Sequence, residues 1–391
     1  MLNLIIDFNN ILMRSLTTPG TTFYNSDFNS ENDLADIVKK ITIDICYNVR
    51  LFSPNRVIIV SDSPNAWRKD FLPNDEFGYK ANRVKDETRN WDNLWKTVNE
   101  FKKILSENGF IVSAVDRAEA DDLAALWKNK LFQEANDSII FVSSDKDWRQ
   151  LIEFKNDAFC MVFNPTVNNK GRKKLFIDNN ISSYLAKNDA RTNFDILFGI
   201  NNTNSHKGNI SNALKTDKKI DIEIVSPEQI LIHKIFTGDS GDNVPAFYSY
   251  YKTTSKRGTY LSSISEKQTD KLCEALNIKN INDLLDCKKY IKEELDIILK
   301  TDMSIDVDER LTRQRVLVEL NLDLFPINIV NSFNDKFDDL ISINIKNPTT
   351  IKWIDVLNNT KFLDKNTQFK PQLNSVFSDL GSDFNKYFSK I

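Results

Sequence analysis

Residues 2–7 read Leu-Asn-Leu-Ile-Ile-Asp, a run of large apolar side chains that ends on an acid. Such a run has the form of a parallel strand buried on both faces, with a carboxylate delivered at its far end. The form recurs in RVIIVS at 56–61 before Asp62, in FIVSAV at 110–115 before Asp116, and in SIIFVS at 138–143 shortly before Asp145. Between these runs lie amphipathic stretches at 31–52, 86–108 and 119–132, each long enough for a crossover helix. Strands that alternate with helices predict an α/β fold, a central and mostly parallel sheet flanked by helices.

Further along, FCMVF at 159–163 and KKLFI at 173–177 predict two strands joined by a turn at the sheet edge. Residues 179–225 turn polar and are expected to form an insertion. SPEQILIHKIF at 226–236 opens with a serine cap, a proline at the first helical position and a glutamate, and predicts a helix. The pattern after it is expected to be helical, with runs at 266–276, 281–300 and 307–320. The expected organisation is therefore a core over 1–178 with a loop at about 64–90, the insertion at 179–225, a helical region at 226–326 and a C-terminal helical extension at 327–391.

Composition excludes several chemistries. With 391 residues and 41% hydrophobic content the chain can bury a proper core. Cys46, Cys160, Cys273 and Cys287 form no Cys-x-x-Cys pair, which argues against a zinc ribbon or a disulfide framework and for a reducing interior. No uncharged apolar run of spanning length and no signal pattern is present, so a cytoplasmic protein without membrane contact is expected. Only His206 and His233 are available, in very different surroundings, which leaves little room for a histidine-based triad or metal site. A net charge of −3 excludes binding of nucleic acid through a global positive field, so any such contact must be local.

The acids carry the functional signal, because ligands of parallel sheets bind outside the carboxyl ends of the strands. Asp7, Asp62 and Asp145 follow strands; Asp147 lies two residues past Asp145; Glu119, Asp121 and Asp122 open a helix; Asp239 and Asp242 stand in TGDSGDN. Singly, each has an ordinary explanation as a turn residue, a cap or a partner of the helix dipole. Gathered on one edge they would repel one another unless a cation joined them. Oxygen ligands without histidine or cysteine point to Mg²⁺, with Mn²⁺ as substitute, and two such ions suit phosphodiester cleavage. Asp116 is set aside, with Arg117 as its expected partner. The segment WRKDFLPNDEFGYKANRVKDETR at 67–89 interleaves Arg68, Lys69, Lys80, Arg83, Lys85 and Arg89 with Trp67, Phe77 and Tyr79, a mixture suited to single-stranded nucleic acid.

LIIDFNN, VSDSPNAWRKDF, YKANR, AEADDLAAL, VSSDKDWRQL and KIFTGDSGDNVP, in this order, resemble the 5′ nuclease (flap endonuclease) superfamily, whose core is PIN-like. Within it the likeness is greatest to the ribonuclease H of T-even phages. The resemblance implies that Asp7, Asp62, Glu119, Asp121, Asp122 and Asp145 hold a first metal, and that Asp147, Asp239 and Asp242 hold a second, partly through water. It implies that Lys80 and Arg83 reach the scissile phosphate from an arch over the site, with Tyr79 as a stacking residue, Arg68 and Lys69 as backbone contacts or partners of nearby acids, and Lys85 as a further contact. Where many relatives place a glycine-rich turn that binds duplex and potassium, this sequence has VPAFYSYYKTTSKRGTY at 244–260, with Lys252, Lys256 and Arg257 as candidate phosphate contacts.

The implied activity is 5′-to-3′ exonuclease and flap endonuclease cleavage of branched or flapped DNA and RNA-DNA hybrid. The implied setting is removal of RNA primers in phage DNA replication, in a host cytoplasm, by a monomer beside a sliding clamp and a single-strand-binding protein. Phe384, Tyr387 and Phe388 form a C-terminal pattern that suits a clamp, though a terminal helix packed on its own domain gives the same pattern. Rival readings are a PIN-like endoribonuclease and a branched-DNA binding protein, and YKANR with GDSGDN favours the nuclease over the endoribonuclease.

Overall fold

The computed structural model describes residues 1–17, 23–52, 54–72, 78–83, 85–169, 171–187, 220–254, 258–301 and 305–342. Its strands are β1 (Leu2–Asp7), β2 (Arg56–Val60), β3 (Ile111–Ser113), β4 (Ser138–Val142), β5 (Glu153–Lys155), β6 (Ala158–Asn164), β7 (Lys173–Ile177) and β8 (Ile220–Ile224). They form one sheet of order β3-β2-β1-β4-β6-β7-β8, with β5 paired to β6. The pairs of β1 with β2 and β4, of β2 with β3, of β4 with β6 and of β7 with β8 are parallel, and β6 meets β5 and β7 antiparallel. Leu4, Ile5 and Ile6 are wholly buried, as expected of a strand covered by helices on both faces.

The helices of this unit are α1 (Phe8–Thr17), α2 (Glu31–Phe52), α3 (Trp91–Glu107), α4 (Ala120–Lys128) and α5 (Asn179–Lys187). From β1 the chain builds outward through β2 to β3, then returns to lay β4 on the other side of β1. The connections leave β1 and β4 in opposite directions, which opens a crevice at their carboxyl ends. The register sets Asp7 beside Val60 and Ile6 beside Val142, so the three strands end level.

Several expectations change. β3 is shorter than the 110–115 run because its partner offers only Ile58–Val60. α3 starts at Trp91 rather than 86, since Asp86 closes a turn by accepting from the amide and hydroxyl of Thr88. The run at 281–300 divides at Cys287 into helices Ile281–Asp286 and Lys288–Leu299. The stretch expected to be an insertion supplies α5 at its start and β8 at its end; β8 is half-exposed and tied to the strand side by Lys174–Glu223 and Arg172–Asp221 pairs. The chain is not helical throughout after Ser226, because β9 (Ser249–Thr254) and β10 (Gly258–Ser263) form an antiparallel ribbon. Residues 188–219 and 343–391, with the aromatic C-terminal pattern, and also Lys256, Arg257 and Phe77, lie outside the described residues.

Two hydrophobic cores result. The first surrounds the sheet; the second joins Leu231, Ile235 and Phe236 of helix Pro227–Thr237 to Leu272, Leu295 and Leu311 of the helices that follow. Helix Ile327–Ile341 returns to the first core, where Phe333 meets Trp127 edge-on at 5.3 Å. The four cysteines are free thiols, and no helix among the described residues is long and apolar enough to cross a membrane.

Phe333 is 1% exposed, so Phe333→Ala is expected to cost about 3–5 kcal/mol through lost burial and a residual cavity. A urea titration should show the midpoint falling for the sheet core. An unchanged midpoint would mean that this helix adds nothing to it.

Candidate metal centre

Asp7 ends β1 and turns the chain into α1. The amide of Asn10 donates to its Oδ1 and the Ser143 hydroxyl to its Oδ2, both at 2.9 Å. Burial, and next the charge of Asp62, push the Asp7 carboxyl up to about 8. Asp62 lies two residues past β2 and accepts from the Ala120 amide at 2.8 Å and the Asn9 side chain at 2.9 Å. The first of those bonds places Asp62 at the N-terminus of α4, where amides are unpaired and an anion is favoured. Its carboxyl is raised by burial against the opposing pull of Lys80.

The start of α4 explains why two of the acids of AEADDLAAL stand where they do. Glu119 is the N-cap and forms a capping box with Asp122, whose Oδ2 accepts from the Glu119 amide at 2.9 Å. Asp122 is wholly buried, takes the Trp67 indole N–H at 2.9 Å and lies 2.7 Å from Nη1 of Arg68. Its oxygens therefore face inward and hold Glu119 in place. Glu119 in turn accepts from Arg68 at 3.2 Å and from the Tyr79 hydroxyl at 2.8 Å, and pairs with Lys80. Burial works against ionising Glu119, but Lys80 and Arg68 outweigh it and hold the carboxyl below its usual range. Asp121 is pushed well above the usual range by burial, with Asp122 and Glu119 adding to the effect and Arg68 resisting it. One oxygen each of Glu119, Asp121 and Asp122 lies within 4.8 Å of the others.

The other acids come from two further elements. Asp145 stands exposed after β4, its amide donating to the Ser143 hydroxyl at 3.1 Å. The Asp147 amide donates to Asp145 Oδ1 at 3.0 Å and opens a short 3₁₀ turn, Asp147–Leu151. Asp239 and Asp242 occupy the turn after helix Pro227–Thr237, which ends on Gly238 at φ 70°. A Cβ there would stand 2.4 Å from the Val244 carbonyl, so only glycine lets Asp239 and Val244 exchange their backbone bonds of 2.9 and 2.8 Å. Lys234 pairs with both Asp147 and Asp239, and Asp242 pairs with Arg83 and, at 3.5 Å, with Lys80.

The basic loop is clasped to that turn. The Lys80 amide donates to the Asp242 carbonyl at 2.8 Å, Asn82 to the Ser240 carbonyl at 2.7 Å, and Asn243 to the Gly78 carbonyl at 2.9 Å. Lys80 adopts a left-handed backbone, φ 58°, that these bonds hold in place. Arg83 is exposed, and Lys85 and Lys252 are also exposed.

Of the two roles open to Arg68 the structure favours the pairing with nearby acids over a phosphate contact: it is 1% exposed, with its guanidinium beneath the acids as their internal counter-cation. Two other expectations are revised. Tyr79 is 3% exposed and spends its hydroxyl on Glu119 and Asp242, so its ring is closed to base stacking. Arg117 pairs with Asp70 rather than Asp116, and Asp116 stands outside the group, accepting from Ser63 at 3.3 Å. Lys69 folds back onto the Pro64 carbonyl at 3.0 Å. The sequence reading passed over Asn9, Asn10, Ser143 and Lys234. Of these, Lys234 had a local signal, since it is the basic residue in the last turn of the helix that ends just before Asp239.

The donor set suits a hard divalent cation. Asp7 and Asp121 are acids whose burial resists ionisation, and a nearby positive ion reverses that resistance. Glu119 and Asp121, with Asp7 and Asp62 across the crevice, offer carboxylate oxygens without nitrogen or sulfur, the chemistry of Mg²⁺ or Mn²⁺.

Residues 3–179 match the family model described as the 5′-3′ exonuclease, N-terminal resolvase-like domain. No curated protein matches the chain. The fold is similar to that of the bacteriophage T5 D15 protein co-crystallized with metal ions, at 17% identity and a TM-score of 0.51, over 88% of this chain and 99% of that one. It is similar also to the T5 5′-exonuclease with bound zinc, at 18% identity and a TM-score of 0.50, over 88% and 99% of the two chains.

Between the ordinary carboxylate range and about 8, the folded chain keeps a proton at Asp7 that the unfolded chain has lost. In chelator, stability is therefore expected to fall as pH rises through that window. Asp7→Asn should flatten the fall by removing the buried acid, which urea midpoints at pH values near 5 and 8 would read. A mutant whose midpoint drops as steeply as the parent's would show that Asp7 is not the group responsible. Gly238→Ala should lower stability by more than about 1–3 kcal/mol, the scale of a backbone forced into a glycine-only region, as measured by thermal unfolding.

Proposed function

We propose that the chain, whose residues 3–179 match the model of the 5′-3′ exonuclease N-terminal domain, is a divalent-metal-dependent phosphodiesterase that degrades nucleic acid from a 5′ end and cuts 5′ flaps. The observation that carries this reading is the gathering of Asp7, Asp62, Glu119 and Asp121 at the β1/β4 crevice, with Lys80 and Arg83 delivered to it by the clasped loop. Bound there, Mg²⁺ or Mn²⁺, in two sites, would supply an activated water and charge stabilisation for the leaving oxygen.

The chain's own residues would do the rest. Asp7, Asp62, Glu119, Asp121 and Asp145 would face the first ion, and Asp147, Asp239 and Asp242 the second. Asp122 would act through Glu119, by the capping box that fixes it. Lys80 stays protonated: burial opposes its charge, but Glu119 and Asp242 hold its affinity for the proton above the usual lysine range. A scissile phosphate would draw Lys80 and Arg83 from those acids, neutralising the substrate as the chemistry begins. Lys85 and Lys252, exposed and outside the acid group, suit contacts to the nucleic-acid backbone.

The substrates proposed are 5′-flapped DNA and RNA-DNA hybrid, with removal of RNA primers in phage replication as the setting. The T5 proteins of similar fold, one a 5′-exonuclease with bound zinc and the other co-crystallized with metal ions, accord with a metal-dependent nuclease.

Incubation of a 5′-flap duplex and an RNA-DNA hybrid with and without Mg²⁺ tests the proposal. Short 5′ products are expected only with metal. Asp121→Asn should abolish them, and Lys80→Ala should slow single-turnover cleavage by roughly 10²–10³, with a much smaller effect on duplex binding. Equal cleavage in chelator, or full activity in Asp121→Asn, would exclude this chemistry.

A further inference from the structure

The acids of the proposed centre differ in what already holds them. Among the described residues, Asp7 and Asp62 accept only from neutral donors, namely two backbone amides, the Ser143 hydroxyl and the Asn9 amide. Asp147 and Asp239 instead share one ammonium. Lys234 reaches back from helix Pro227–Thr237 and pairs with both, and its side chain is 13% exposed in that position. The lysine's charge holds the Asp239 carboxyl below its usual range although burial works the other way.

Two carboxylates from different elements that face each other need a positive charge between them, and an ammonium or a divalent ion can supply it. Both cannot sit on the same oxygens, because like charges in a partly buried space repel strongly. Occupancy by one therefore weakens the other, and the coupling is reciprocal. A lysine left half-buried without those acids would also lose its partners, which strengthens its hold on them.

We propose that Lys234 is a resident competitor for the second ion: its ammonium fills the position between Asp147 and Asp239, so the chain binds one divalent ion strongly and another only as Lys234 is displaced. This rests on the metal-centre reading above. It makes Lys234 a positioning residue that sets metal stoichiometry.

Mn²⁺ titrations of the full chain, followed by calorimetry and by the spin-resonance signal of free Mn²⁺, test it without any nucleic acid. The parent is expected to bind one ion, with a second at least about tenfold weaker. Lys234→Met should tighten the second ion by at least about tenfold, whereas Lys234→Arg, which keeps the charge, should behave as the parent. In chelator Lys234→Met should unfold at a lower temperature, from the exposed repulsion of Asp147 and Asp239, and should gain more than the parent on adding Mn²⁺. Lys234→Gln serves if the methionine variant does not fold. A second ion that binds no more tightly, or is lost, in a folded charge-neutral variant would overturn the proposal and leave the lysine a structural strut. Absence of any bound Mn²⁺ in parent and variants alike would instead remove the metal centre itself, and this inference with it.

Discussion

Repulsion among carboxylates at the carboxyl ends of β1, β2 and β4 is the constraint to which the rest of the molecule answers. A parallel sheet with a change of winding direction brings Asp7, Asp62 and the start of α4 to one crevice, and burial makes their charges expensive there. Every nearby device reduces that expense. Helix amides and serine or asparagine side chains face Asp7 and Asp62, while lysine and arginine face Glu119, Asp122 and the acids contributed by later elements. The arrangement stores unfavourable electrostatics that a divalent cation relieves.

The second core exists partly to complete that crevice. Its helix Pro227–Thr237 ends in a turn that only glycine can make, and the turn carries Asp239 and Asp242 toward the sheet. Three hydrogen bonds to main-chain carbonyls between residues 78–83 and that turn join a loop of the first core to an acidic corner of the second. Tyr79 lies between them, its ring in the second core and its hydroxyl on Glu119 and Asp242. The basic loop and the acid group are thus held together by the same bonds.

The sheet and the acids were legible in the sequence because their signals are local. A run such as Leu2–Ile6 is buried on both faces, so hydrophobicity alone marks it, and the acid that follows needs no distant information. The bounds of α2 and of β7 were read directly for the same reason. Tyr79 was misjudged and the role of Arg68 left open because their neighbours lie far away in sequence: a basic or aromatic residue in a polar loop looks exposed until Glu119 closes over it. The ribbon of β9 and β10 was read as helical because Tyr, Ser, Thr and Lys mix there without a clear period, and strand preference expresses itself through packing more than through sequence. β8 was missed because IDIEI lies in a polar tract and is half-exposed along its length.

The pairing of β7 with β8 bears on how this chain tolerates change. α5 begins two residues after β7, anchored by Asp178, which accepts from the Ile181 amide at 2.7 Å, and Val225 donates back to the Ile177 carbonyl at 2.8 Å. The chain therefore leaves β7 and comes back as β8 at the far margin of the sheet, three strands from β4. A change of length between α5 and β8 would therefore bear on one margin of the sheet and leave the rim that carries Asp7 and Asp62 with its geometry.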